Sequence, residues 1–464
     1  MKKTIASVLV LLAAASLQAV EVGQVIVRQQ WPWSPQVKVE YVLTGVTAPV
    51  DISVEVYDGA TKLESPTLSE SLSGDVYAVP ADGVYALVLD PVKAFGSSRS
   101  AIADFRVKLS AAESSAEMTE ALYRIVNLES PYDITDISRA DLLNGKWGAI
   151  ERDYRNIIPG SPVTDCLIWT DVTNNPVYKT THVVFRRIKA AGKTFTMGAS
   201  TSEKGQKYDS LNFASRETPH TVSFEKDFFL AVFPTTQKQH TYCCASSAQR
   251  PSKSVPNADM NPVDSVVWAN LRGWHMSKDE TTGENFKGNW PADGHELSWK
   301  AGLTPVRNNT GLSLLDLPTD AMWEFACRAG TTTATYAGDL TVDSSATDAA
   351  DPALEKIAWY SANSDDHTHP VGEKAPNPWG LYDMLGNVSE FCLDVYRDPM
   401  PSTREDDPTG PLPTSAYPNR VIRSGSGGFS TIAYRTRAAF RGSNAGHADE
   451  RNYLGYRLAI FLSE

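Results

Sequence analysis

The densest chemistry in this chain lies at 380–391, GLYDMLGNVSEF, where Asp383, Asn387 and Glu390 are interleaved with two glycines and with Leu381, Met384, Leu385 and Val388. That mixture suits a buried, irregular turn better than a helix or a strand. Glycine lets backbones approach closely, and buried carbonyls must find partners. A hard cation is one way to satisfy them: calcium takes six to eight oxygens, many of them main-chain, and Glu390 can add a carboxylate. A general acid/base pair of Asp383 and Glu390 is the rival chemistry, but the spacing does not fix their separation. His367 and His369 would point to opposite faces of an extended chain. His182, His220, His240, His275, His295 and His447 are scattered without ligand spacing. Arg423, Arg435, Arg437, Arg441 and Arg457 crowd the C-terminal part. Either they read an acidic ligand by bidentate contacts or they pair with buried carboxylates, the commoner use.

Positioning such groups needs defined elements. The clearest helix is TDAMWEFACR at 319–328: Thr319 can cap it, Asp320 suits its positive end, Gly330 can stop it, and Met322, Phe325 and Ala326 share a face. From 20 to 112 the apolar residues alternate instead, as in Val37, Val39 and Tyr41, in Ile52, Val54 and Val56, and in Tyr85, Leu87 and Leu89. Turn sequences such as Asp58-Gly59 and Asp82-Gly83 separate these runs, so an all-β, immunoglobulin-like sandwich is predicted for 20–112. Trp31-Pro32-Trp33 within it would serve either as a carbohydrate platform or as packing. Residues 113–180 read as a connector docked on a neighbour, with a weak helical pattern at 140–154. A second domain, rich in glycine, proline and tryptophan, follows from 181 to 464.

The whole chain of 464 residues is too long for one core. Its 42% hydrophobic and 21% charged content is that of a soluble globular protein, and a net charge of −12 argues against nucleic acid as a partner. Residues 1–19 have the form of a secretory leader: Lys2 and Lys3, an apolar stretch, then small residues, with cleavage after Ala15 or Ala19. No later run approaches the roughly eighteen apolar residues of a membrane span. An exported protein, periplasmic or extracellular, is expected. Outside the cytoplasm disulfides persist, and the five cysteines, Cys166, Cys243, Cys244, Cys327 and Cys392, leave at least one thiol unpaired.

Eight blocks occur in a recognisable order: FTMG at 195–198, ETPHTVSF at 217–224, NPVDSVVW at 261–268, LPTDAMWEFACRAG at 317–330, GLYDMLGNVSEF, DPTGP at 407–411, RVIRSGS at 420–426 and LGYRLA at 454–459. In these the sequence resembles the sulfatase-modifying-factor family, that of formylglycine-generating enzymes and their non-catalytic relatives. The resemblance implies an α+β, C-type-lectin-like formylglycine-generating-enzyme fold with much irregular structure. It also implies that Cys327 and Cys392 pack around one core, where they either form a disulfide or act as small buried hydrophobes.

In the catalytic members of that family two cysteines after the arginine-glycine-glycine-serine block hold copper, since thiolates suit cuprous ions. Here the matching segment, 424–441, has no cysteine; Phe429 and Ala433 stand at the two positions, so copper is not expected. The resemblance further implies calcium held by the carbonyls of Leu385, Gly386 and Val388, with Asn387 and the Glu390 carboxylate, and a second site beginning at Asn363. His369 lies in a THPVG segment that the family uses as an ordinary loop.

Three functions follow. The first is a non-catalytic binding protein for a protein, peptide or glycan, with Ser426, Phe429, Tyr434, Arg435, Arg437, Arg441 and Asn444 as candidate contacts. The second is an oxidoreductase-like enzyme of the same superfamily, formylglycine-generating or nonheme-iron in type, with an altered site. The third is a target of a diversity-generating retroelement whose variable positions lie at 424–457.

Overall fold

The computed structural model describes residues 20–29, 34–96, 102, 104–200, 202–203, 215–244, 254–272, 297, 301–341, 349–411, 418–425, 428–445 and 451–462. The expected leader at 1–19, the Trp31-Pro32-Trp33 triplet and Ser426 lie outside them. The chain divides into two units, one of residues 1–120 and 138–146, the other of 121–137 and 147–464.

The first unit contains two antiparallel sheets. One has four strands in the order Glu21–Gln29, Val37–Thr44, Gly83–Leu89, Leu72–Gly74, and the other three, Thr61–Lys62, Val50–Asp58, Phe105–Glu113. The period-two alternation explains the core. Val37, Val39, Tyr41 and Leu43 from one sheet and Val50, Ile52, Val54 and Val56 from the other are buried together, while the intervening side chains turn outward. Asn144 ties residues 138–146 to this unit: its amide donates to the Tyr77 carbonyl at 2.8 Å and accepts from the Tyr77 N–H at 2.9 Å.

The expected connector at 113–180 is divided between the two units. Ala121–Asn127 pairs antiparallel with His182–Ile188, and both belong to the six-stranded sheet of the second unit. The order of that sheet is Leu315–Asp316, Ala459–Phe461, Phe228–Ala231, His182–Ile188, Ala121–Asn127, Ile134–Ser138. The predicted helix near 140–154 shrinks to Arg139–Leu143, capped by a reciprocal Ser138 and Asp141 box.

The six-stranded sheet separates two apolar cores, as parity along its strands shows. Phe228 and Leu230 enter one core, Phe229 and Ala231 the other. The helix Asp320–Arg328 lies in the first core with all nine residues buried. Thr319 caps it as predicted, accepting from the Met322 N–H, but Ala329, in the left-handed region at φ 46°, ends it one residue before Gly330. A four-stranded sheet completes the unit, in the order Gly442–Ala445, Asn419–Arg423, Ser389–Val395, Leu454–Tyr456.

Candidate functional site

Strand Ser389–Val395 decides where the carboxylates go. Phe391 and Leu393 face one core and Cys392 the other, so alternation puts Glu390, Cys392 and Asp394 together on the face toward the Asp320–Arg328 helix. The indole N–H of Trp323 donates to Glu390 Oε2 at 2.7 Å, and the Asp320 N–H donates to Asp394 Oδ2 at 2.7 Å. The neighbouring strand Asn419–Arg423 alternates likewise: Val421 enters the helix-side core and Arg423 donates to the helix carboxylates, while Ile422 enters the other core.

Glu390 is completely buried, and its charge is met by Arg457. Nε of Arg457 lies 3.2 and 3.1 Å from the two carboxylate oxygens, and Nη2 lies 2.9 Å from Oε1. The same guanidinium donates to the carbonyls of Ala231, Val232, Tyr382 and Asp383 at 2.8 to 3.2 Å. Gly386 O accepts from the Ser424 hydroxyl at 2.9 Å. Asn387, at φ 60°, holds both backbone groups of His369: its Oδ1 accepts from the His369 N–H and its Nδ2 donates to the His369 carbonyl, each at 3.0 Å. Around Glu390, a guanidinium with five donors serves the carboxylate and four neighbouring carbonyls at once.

Of the expected calcium ligands, the carboxylate of Glu390 and the carbonyl of Gly386 have partners within the chain. Their one carboxylate is committed to Arg457 and Trp323, and among the described residues there is no group of three or more His, Cys, Asp or Glu that could hold a metal. Asn363, expected at the second site, spends its Oδ1 on the Tyr360 N–H at 3.0 Å and its amide on the Ala358 carbonyl at 3.1 Å.

Four further arginines were candidates for reading a ligand, and three are core residues instead. Arg423 spans Asp320 and Glu324, with Nη2 2.9 Å from Glu324 Oε2. Arg441 lies 2.7 Å from Asp320 Oδ2. Arg437 grips Glu217 with two N–H donors at 2.9 Å and Glu203 at 2.6 Å. Burial would raise the Asp320 and Glu324 carboxyls; their arginines nevertheless hold both below the ordinary range. Asp394 has only the weaker compensation, and burial, with Asp320 beside it, pushes its carboxyl up. Burial also raises Asp383 to about 6, against the Gly372 N–H and Arg457.

The expected binding residues are corrected accordingly. Phe429, Tyr434, Arg437 and Arg441 are buried and form no surface; Arg435 is half-buried, and Asn444 is placed only by its strand pairing with Arg420. Phe429 and Ala433 sit in short 3-10 turns, Gly428–Ser430 and Ala433–Arg435. Gly428 is required there, since a Cβ would lie 2.8 Å from Val388 Cα. All five cysteines are free and buried, so Cys327 and Cys392 form no disulfide and pack as small hydrophobes. His367 and His369, expected on opposite faces, have ring centroids 4.4 Å apart, and His369 stacks on Trp359 at 3.7 Å.

Sequence reasoning missed Asp394, Glu217 and the Trp323 link. The i, i+2, i+4 spacing of Glu390, Cys392 and Asp394 was the available clue, and it has meaning only once the stretch is known to be a strand.

Residues 174–462 match the family described as the sulfatase-modifying factor enzyme 1-like domain. Similar proteins include the chaperone protein LppX of Paenibacillus barcinonensis, 26% identical over 37% of this chain and 64% of its own length. The formylglycine-generating enzyme of Streptomyces coelicolor is 29% identical over 44% of this chain and 65% of its own length. The chain thus spans a little under two thirds of these two relatives. Among solved structures, Treponema denticola variable protein 1 aligns with a TM-score of 0.41 at 24% identity, over 60% of this chain and 95% of that one.

Proposed function

This chain belongs to the sulfatase-modifying factor family, and within it we propose that the protein is an exported, non-catalytic, ligand-binding member. The chemistry of two positions carries the reading. Where the resemblance places the copper thiolates stand Phe429 and Ala433, both buried and neither able to bind a metal. No cysteine follows Cys392, and burial raises the thiols of Cys327 and Cys392, which disfavours the thiolate form that binds metal and attacks.

In this reading the lectin-like domain keeps its framework of buried ion pairs and binds a protein, peptide or glycan. Ser430 and Arg435, in the same short turns as Phe429 and Ala433, remain at least partly exposed. The N-terminal two-sheet unit serves as an immunoglobulin-like adaptor, and residues 1–19 direct export. The test is copper loading of the mature chain followed by metal analysis, together with oxygen uptake on a thiol-bearing peptide. No stoichiometric copper and no formylglycine are expected; one copper per chain with oxygen-dependent oxidation of the peptide thiol overturns the reading. N-terminal sequencing of the secreted protein should begin after Ala15 or Ala19.

A further inference from the structure

A cleft of ≈ 410 Å³ opens in the second unit, away from segment 424–441. Its wall is apolar, formed by Phe224, Phe228, Leu314, Met322, Phe461 and Leu462. Five segments meet there: residues 224–228, Leu314, the first turn of the Asp320–Arg328 helix with its cap Thr319, residues 407–409, and the last described residues of the chain. The volume is at the lower end of small-molecule sites, which run roughly from 300 to 1,000 Å³.

Charge at the cleft is uneven. Glu225 and Asp407 are exposed at its edge, with Lys226 the cation beside them. Asp407 is held in place, since both its oxygens lie 3.2 Å from the Glu225 N–H. Asp227 is already balanced by Arg187 at 3.0 Å and Lys189 at 3.3 Å and adds little to the imbalance. The helix turn that contributes to the wall could in principle draw an anion. Its Asp320 and Met322 amides, however, are taken by Asp394 and by the Thr319 hydroxyl. The Asp320 carboxylate of the same turn is engaged by Arg423 and Arg441 and adds little to the imbalance.

We propose that this cleft binds a small apolar ammonium ligand, its hydrocarbon against Phe224, Phe228 and Met322 and its charged nitrogen at the Glu225 and Asp407 carboxylates. The chemical class is an arylalkylamine. This site uses none of the residues of the former copper segment, so it stands or falls separately from the non-catalytic reading.

The test uses three probes with one carbon skeleton, 3-phenylpropylammonium, 3-phenylpropanol and 3-phenylpropionate, titrated calorimetrically into the whole mature chain at low salt. The amine is expected to bind about fivefold tighter than the alcohol, a factor in keeping with a partly exposed ion pair, and the carboxylate weakest. Glu225→Gln with Asp407→Asn should bring the amine to the alcohol's affinity while leaving the alcohol unchanged, because the amide oxygen that replaces the Asp407 carboxylate can still accept from the backbone N–H at position 225. Leu462→Trp, at the rim, should abolish binding of all three with an unchanged circular dichroism spectrum. The proposal is overturned if the carboxylate binds as tightly as the amine, if no probe binds, or if Leu462→Trp leaves binding intact.

Discussion

The two units place their charges in opposite ways. In the first, ion pairs stay in water: Glu55 sits between Lys62 and Lys108, all three at least a third exposed or nearly so, over a core in which no charged side chain is buried among the described residues. In the second, Arg423, Arg437 and Arg457 are fully buried with their carboxylates. The difference follows from backbone regularity. Long antiparallel ladders satisfy their own N–H and C=O groups, and nothing ionic is needed inside. The second unit folds around turns whose carbonyls have no ladder partner, and a guanidinium can serve several at once. Arg457 does so for four carbonyls while neutralising Glu390. Buried charge here organises irregular chain, and its removal should be felt accordingly.

The sharpest way to break this contrast is to remove one partner of a buried pair. Glu390→Ala leaves Arg457 charged and unpaired in the core, and a loss of about 3–5 kcal/mol is expected in urea unfolding followed by tryptophan fluorescence. Glu55→Gln in the first unit should leave its unfolding midpoint unchanged. Equal effects from the two variants would show that burial of charge does not distinguish the units.

A second test bears on the turn itself. Gly386 has φ 76°, and a Cβ there would lie 2.1 Å from the Trp359 carbonyl oxygen. Gly386→Ala should cost about 1–3 kcal/mol in strain alone, with the clash added. The same exchange at Gly96, also at positive φ but with open space around it, should cost less.

Titration offers a third and subtler measure. Asp383 has a folded-state value of about 6, above its ordinary 3.8, so between these pH values the folded protein holds a proton that the unfolded chain has lost. Stability from this group is therefore fully present below about pH 4 and falls as pH rises through 6, by about 2–3 kcal/mol in total. Asp383→Asn should flatten that part of the stability profile; an unchanged slope would assign it to other groups. The smallest effect is expected from chelation. With Glu390 engaged by Arg457, excess EDTA should leave the thermal midpoint of the mature chain where it was, and a fall of several degrees restored by calcium would reinstate a hard cation at the turn.

Much of this arrangement was legible in the chain. Period-two alternation located the strands Val37–Thr44 and Val50–Asp58 and the faces they bury, because a strand's side-chain period is a local property. Thr319 announced its helix because capping is settled within four residues. The ordered motif blocks identified the family, and the missing cysteines at 424–441 needed no structure to be seen.

What the sequence could not supply was partnership across long separations. Glu390 and Arg457 are 67 residues apart, and Arg437 and Glu217 are 220 apart. Nothing local distinguishes an arginine poised for a ligand from one sealed against a carboxylate. That Arg457 is the partner of Glu390 likewise depended on which donor the fold delivers there. Residue types fixed what each group can bind, since donor number and charge are covalent properties. Tertiary structure alone decided which partners are close enough and dry enough to be bound, because distance and desolvation arise only when remote segments pack.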